Sequence, residues 1–259
     1  MKKHPMALTE NERLHNRHAF ISDIHGNSPA LRAVLRDIER RGVGSVYNLG
    51  DSLFGPLDPH GTFDLLTAGH IIHLRGNGDR ELLAADDGSS TTMNKLRRDL
   101  SSTERRWLEE LPPAIETEDF FLCHGSPGSD EQYLLEDVSG SEPRLRPLEE
   151  IEGLASGIKA RVVVCGHSHL PRLVGLSGGR LAANAGSVGL PAYADDLPVK
   201  HKMESGTPQA KYLILEKTSG GWSAEIIHLA YDWPAATALA LAGGRRDWAA
   251  WLATGFAAG

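Results

Sequence analysis

Ser22-Asp23-Ile24-His25-Gly26-Asn27-Ser28-Pro29-Ala30-Leu31, residues 22–31, is the stretch on which the fold turns. The residues before it, 17–22, read as a short strand that ends at Asp23. After it, Asn27 or Ser28 stands in capping position and Pro29 opens a helix, where its missing N–H costs nothing. Leu31, Val34, Leu35 and Ile38 recur at helical spacing, so 29–41 reads as an amphipathic helix that Gly42 stops. Strand, polar turn and helix in that order form half of an α/β unit.

The pattern repeats outward. Residues 43–49 are a strand ending at Gly50-Asp51, 61–68 a helix, and 71–75 a strand ending at Gly76-Asn77-Gly78-Asp79. Alternating strands and helices indicate an α/β fold. Further on, 93–111 is polar and helical, with a capping box at Ser101 and Glu104. A hairpin is expected over 114–118 and 120–123, a loop over 126–147 and a helix over 148–154. A buried strand at 161–165 ends at Gly166-His167-Ser168-His169. Short strands are expected at 173–175, 180–184, 211–215 and 222–227, a long loop at 189–208, and one Ala-rich helix from about 234 onward. No repeat or linker interrupts residues 17–259, which read as a single domain behind a flexible tail at 1–16. Strands in both halves suggest two sheets.

The chain has 259 residues, with 41% hydrophobic and 24% charged residues. These values exclude a fibrous or wholly disordered chain. No run reaches the ~18–20 apolar residues of a membrane helix, so no membrane partner is expected. The first residues lack the apolar run of a secretory signal, and Cys123 and Cys165 are too few for a disulfide framework, so a cytoplasmic location is expected. Twenty-seven basic against 34 acidic residues give a net charge of −7, which argues against strong general nucleic-acid binding.

The chemistry lies at the strand ends. Asp23 and His25 follow the first strand, Asp51 the second, Asn77 and Asp79 the third, His124 the strand at 120–123, and His167 and His169 the strand at 161–165. In open α/β sheets, sites form beyond the carboxyl ends of strands. Mixed oxygen and nitrogen ligands without thiolate suit Mn²⁺, Fe, Zn²⁺, Co²⁺ or Mg²⁺. Seven such ligands exceed one tetrahedral ion and suit two ions sharing a carboxylate. Ions about 3.5–4 Å apart clamp phosphorus for in-line displacement. Two divalent ions less Asp23 and Asp51 leave a positive site, which would attract a small phosphoester.

Taken together, Asp23-x-His25, Gly50-Asp51, Gly76-Asn77-x-Asp79, His124-Gly125 and Gly166-His167-x-His169 resemble the calcineurin-like metallophosphoesterases, in their small bacterial and archaeal phosphodiesterase branch. The likeness extends to Gly55-Pro56, Asp58-Pro59, Asn184-Ala-Gly-Ser-Val-Gly and Tyr231-Asp232, and covers about residues 18–250. It implies a four-layer α/β/β/α sandwich of two mixed sheets. It implies hydrolysis of phosphodiesters or phosphomonoesters with two divalent ions, Mn²⁺ foremost, with Fe, Zn²⁺, Ni²⁺, Co²⁺ or Mg²⁺ as alternatives. Asp23, His25, Asp51 and His169 would hold the first ion, and Asp51, Asn77, His124 and His167 the second. A hydroxide bridging them would be the nucleophile, with Asp51 and Asn77 in the catalytic set and Asn77 also orienting the phosphate. Two further readings share the fold: a protein-binding scaffold with weak or no catalysis, and a serine/threonine protein phosphatase. Complete ligands argue against the first, and Gly78, where many relatives carry histidine, against the second.

That glycine leaves the acid for the leaving group open, and His60 is one candidate. Leu190 stands where relatives often carry a polar residue. Asp79 either supports a ligand histidine from behind or caps the helix that follows, and the cap is preferred. Arg80 and Arg75 are candidate grips for phosphate. Cys123 and Cys165 read as buried, inert thiols, and Ser187 lacks the setting of a nucleophile elbow.

Overall fold

A computed structural model describes residues 16–85, 91–140 and 142–257. Apart from Asn16, the tail expected at 1–16 lies outside these residues. The first strand, β1 (Arg17–Ile21), passes through the turn quoted above into α1 (Ser28–Arg40). Asn27 caps α1, its side chain accepting from Ala30 N–H, and Pro29 occupies the first turn. The units β2 (Ser45–Asn48), α2 (Pro59–Thr67), β3 (Ile71–His73) and α3 (Asn77–Leu83) follow. Asp58 caps α2 through Gly61 N–H at 3.0 Å.

Next come α4 (Thr91–Asp99), α5 (Ser102–Glu110), β4 (Ala114–Glu116), β5 (Phe120–Cys123), the ribbon β6 (Glu136–Asp137) and β7 (Arg144–Leu145), and α6 (Leu148–Leu154). The second half holds β8 (Val162–Cys165), β9 (Arg172–Leu176), β10 (Arg180–Asn184), β11 (Ala192–Asp195), β12 (His201–Glu204), β13 (Ala210–Thr218), β14 (Gly221–Leu229), α7 (Trp233–Ala242) and α8 (Arg246–Thr254). One five-stranded sheet runs β14-β13-β1-β2-β3 and the other β4-β5-β8-β10-β9. In the first, β1, β2 and the edge strand β3 are parallel and β13 and β14 pair antiparallel; in the second, β5, β8 and β10 are parallel and the two edge strands antiparallel.

The period-two alternation of strand side chains builds the layers. Ala19 and Ile21 of β1 face the core under α1, while Phe20 enters the core between the sheets. Tyr212 and Ile214 of β13 take the α1 side, with Leu213 and Leu215 between the sheets. In the second sheet, Phe120, Leu122, Val162 and Val164 face the first sheet. Cys123, Val163 and Cys165 face Ile151 of α6. The order helix, sheet, sheet, helix is the expected four-layer sandwich.

Four local expectations are corrected. The single helix at 93–111 is two, because Ser101 and Glu104 form a capping box that starts a new helix after Leu100. The loop at 126–147 contains the β6–β7 ribbon. The loop at 189–208 contains the β11–β12 hairpin, which buries Ala192 on one face against α8 and His201 and Met203 on the other. The C-terminal helix divides at Gly243-Gly244, where Gly244 has φ +80°, so α8 folds back on α7.

Candidate metal centre

The parallel strands β1, β2, β5, β8 and β10 deliver their carboxyl ends to one edge shared by both sheets. Backbone bonds stitch these ends together. Asp23 N–H donates to Gly50 O, His25 N–H to Asp51 O, Gly166 N–H to His124 O and Gly189 N–H to Asp23 O. The turn after β1 is thereby fixed against those after β2 and β10, and the turn after β8 against that after β5. Among the described residues, the non-glycine residues with positive φ are Asp23, His25, Asp51, His167 and His169, all at +53° to +66°. Left-handed backbone at such residues is strained and persists where the surroundings enforce it. Here it falls only on predicted ligands.

The seven predicted ligands meet at this edge. Asp23 Oδ1 lies 3.2 Å from His169 Nε2, 3.8 Å from His124 Nε2 and 4.0 Å from His25 Nε2. Asp51 points its two oxygens differently, Oδ2 being 3.8 Å from His25 Nε2 and Oδ1 3.5 Å from His124 Nε2. Asn77 Oδ1 is 3.0 Å from His124 Nε2, and the His167 ring centroid lies 5.1 Å from that of His124. Asp23, His25 and His169 form one group that could hold a metal ion, and Asp23, Asp51 and His124 another.

Proton placement supports a cation. His25 Nδ1 donates to Phe54 O at 2.9 Å, His124 Nδ1 to Leu49 O at 2.7 Å and His169 Nδ1 to Leu190 O at 2.6 Å. A carbonyl can only accept, so each Nδ1 carries a proton, and in the neutral imidazole each Nε2 presents a lone pair. Yet His25 Nε2 and His169 Nε2 stand 3.1 Å apart, and His124 Nε2 faces the Asn77 carbonyl oxygen. Asp23 Oδ1 is fully buried with no hydrogen-bond partner, despite its nearness to His169. Such acceptor-on-acceptor contacts fit divalent cations. His167 is turned the other way, its Nε2 donating to Glu131 O at 2.9 Å, which leaves Nδ1 as the atom that could bind a metal.

Burial is the largest influence on Asp23, His25, Asp51, His124 and His167. It pushes the Asp51 carboxyl up, against the pull of His124 and His25. At Asp23, His169, His124 and His25 outweigh burial and hold the carboxyl well below its usual range. Burial, with His124 nearby, drops His167 to about 3, and burial also lowers His25. Neutral imidazole is the form that binds metal. His124 runs opposite, because Asp51 and Asp23 outweigh its burial.

The remaining candidates sort by contact. Asp79 accepts from Gly76 N–H at the start of α3 and from Ser52 N–H in the loop after Asp51. The helix begins at Asn77 rather than after Asp79, so Asp79 acts from within its first turn, and its carboxylate joins that turn to the loop after Asp51. A Cβ on Gly76 would lie 2.1 Å from Asp51 Oδ1, so only glycine fits there. At Gly78 a Cβ would meet both Asp51 oxygens and Phe54 at 3.1–3.2 Å, which leaves little space for an imidazole. Arg80 is paired with Asp130 and Glu131 at 2.7 Å each. His60 binds Glu104 at 2.6 Å in a separate depression beside Pro56 and Lys95. Cys123 and Cys165 are buried, and burial pushes the Cys123 thiol up to about 12. Ser187 donates to Asp23 O.

A cavity of about 210 Å³ opens beside His25, Asp51, Asn77, His167 and His169. Its outer wall includes Arg245 and two tryptophans of α8, together with Tyr193 of β11. Reading the sequence missed these residues. They carry no motif: Tyr193 lies in the expected loop, and Trp248 and Trp251 in what reads as one continuous helix; Gly243-Gly244, which splits that helix, was the available signal.

Residues 17–203 match the calcineurin-like phosphoesterase superfamily domain, and the chain belongs to that family. It is 25% identical over 231 residues to an uncharacterized protein of Methanocaldococcus jannaschii, covering 83% of this chain and 87% of that one. A metallophosphoesterase from Sphaerobacter thermophilus has a similar fold, with a TM-score of 0.72 at 22% identity over 92% of this chain and 98% of the other. So does a hypothetical protein from Pyrococcus horikoshii OT3, with a TM-score of 0.70 at 17% identity over 93% and 99%.

Proposed function

We propose that this calcineurin-like phosphoesterase hydrolyses small phosphate monoesters or diesters with two divalent cations. Asp23, His25, Asp51 and His169 would hold one, and Asp51, Asn77, His124 and His167 the other. The observation that carries this reading is the set of Nε2 atoms of His25, His169 and His124, gathered around Asp23 Oδ1 and the two divergent oxygens of Asp51. When bound, the cations supply positive charge for the ester oxygens and lower the pKa of water toward neutrality.

The chain's own groups do the rest. Asp51 offers one oxygen toward each half of the centre. Asn77 turns its carbonyl toward His124, and its amide NH₂ can donate to a phosphate oxygen. The carbonyls of Phe54, Leu49 and Leu190 fix the tautomer and ring orientation of three histidines. Bound cations would supply the hydroxide for in-line displacement at phosphorus, with the ester oxygen leaving opposite and taking its proton from water. Glycine at 78 offers no imidazole to that oxygen. General-acid help is worth about 10²–10⁴-fold, so aryl esters should react much faster than alkyl esters.

Hydrolysis of p-nitrophenyl phosphate and bis-p-nitrophenyl phosphate by the Mn²⁺-loaded protein tests the proposal. Asp51→Asn should lower kcat/KM by on the order of 10²-fold or more, because it removes a charge from both halves of the centre. Turnover by the native protein no greater than by Asp51→Asn on both esters would overturn it.

A further inference from the structure

The cavity beside the metal centre has walls that the ligand set does not require. Phe54 lies between the Asp51 loop and α2, Tyr193 comes from β11, and Trp248 and Trp251 come from α8; all four line the same space as His25 and His169. Trp248 meets the His25 ring edge-on at 5.6 Å and Phe54 at 6.0 Å. Tyr193 lies edge-on to His169 at 4.5 Å. The aromatic wall thus begins where the ligands end. The β11–β12 hairpin brings Tyr193 by burying its own inner face, and the sharp turn at Gly243-Gly244 brings α8.

Charge decides what kind of group the walls accept. Arg245 is the cation in the lining, and its guanidinium lies over the Trp248 ring at 5.2 Å. It is already engaged by Asp247 and by Thr92 Oγ1 at 3.2 Å. Glu81 and Asp195 also line the space. Two carboxyls against one occupied guanidinium disfavour a second anion beyond the phosphate. The volume of about 210 Å³ is below the roughly 300–1,000 Å³ of drug-sized sites, which suits one small ring system rather than a polymer.

We infer that this cavity binds the organic part of the phosphoester, and that it selects an uncharged aromatic group. The inference rests on the phosphoesterase reading and adds the substrate class. Phosphorus sits over the ligand edge, while the ring enters among Phe54, Tyr193 and the α8 tryptophans. Ring-on-ring packing there adds to the burial of apolar surface.

Phosphonates test this without chemistry, since they have no leaving group. Titration calorimetry on the Mn²⁺-loaded protein would compare methylphosphonate, phenylphosphonate and 4-phosphonobenzoate. Phenylphosphonate should bind about tenfold or more tightly than methylphosphonate, and the added carboxylate of 4-phosphonobenzoate should remove most of that gain. Ala194→Trp, which fills the lining, should bring phenylphosphonate down to the level of methylphosphonate. If the nitrophenyl esters are hydrolysed but phenylphosphonate binds no better than methylphosphonate, the cavity assignment alone is overturned. If no phosphonate binds and no ester is hydrolysed, both readings fall.

Discussion

A methyl group on Gly166 would lie 1.9 Å from Ser22 Oγ and 2.7 Å from Asp23 Oδ2. The glycine is there because the turn after β8 crosses the end of β1 with no space for a side chain, and that crossing lets His167 N–H reach Asp23 Oδ2 at 3.0 Å. Gly166→Ala should cost about 1–3 kcal/mol of stability by overpacking and weaken Mn²⁺ binding by separating Asp23 from His169, both read by thermal melts with and without Mn²⁺. Unchanged Mn²⁺ affinity would show that the contact does not position Asp23. His167→Ala should leave one Mn²⁺ per chain by elemental analysis and remove most hydrolysis, whereas two ions per chain would remove His167 from the ligand set. The ligands were legible at this scale because each follows an apolar run and is bracketed by glycine. The attachment of Arg80 to Asp130 and Glu131 was not, since an ion pair across fifty residues leaves no trace in local spacing.

Among the elements, α1 shows how a cap also serves the site. Asn27 accepts from Ala30 N–H at 3.1 Å, and its Nδ2 donates to Gly189 O at 2.8 Å and to Tyr231 at 3.1 Å. Asn27→Ala should lose the usual ~0.5–2 kcal/mol of an N-cap together with two buried bonds, so chemical denaturation should register more than a cap alone. A loss below 0.5 kcal/mol would contradict this. At the far end of α1, Asp37 accepts from Tyr212 of β13 at 2.5 Å and from Arg41 at 2.7 Å. Burial works against the Asp37 carboxylate, but bonds from Tyr212, Arg41 and Arg40 win and hold its pKa below the ordinary value. A depressed folded pKa contributes stability above the unfolded value of about 3.9, and that stability disappears as pH falls through the folded value. The melting temperature of Asp37→Asn should therefore lie below that of the native protein near pH 7 and converge with it below about pH 4. A gap independent of pH would contradict the assignment. Periodicity found the long amphipathic α1 directly, whereas α4 and α5 merged into one because capping at Ser101 interrupts a pattern that is helical on both sides. The β11–β12 hairpin escaped notice because its strands are short and its buried residues, Ala192 on one face and His201 and Met203 on the other, do not form an apolar alternation.

For the whole molecule, two sheets face each other across Phe20, Tyr47, Phe120 and Leu213, and their parallel strands end at a single edge. The shared edge could be anticipated because each ligand block follows a strand, and sites in α/β sheets form beyond the carboxyl ends of strands. The wall contributed by α8 could not, since it depends on how an Ala-rich segment folds back after Gly244. A centre that assembles only on folding is coupled to stability, because a cation held by the native state alone shifts the equilibrium by about 2.7 kcal/mol at 100 times its Kd. Removing metal with a chelator should lower the melting temperature by about 5–10 °C per emptied site, and an unchanged melt would mean that the native state binds none. The most direct test of the centre is anomalous scattering from crystals of the Mn²⁺-loaded protein. Two manganese peaks should appear at the shared sheet edge, one among Asp23, His25 and His169 and one among Asn77, His124 and His167, with Asp51 in contact with both. A single peak, or none at that edge, would contradict a dinuclear centre.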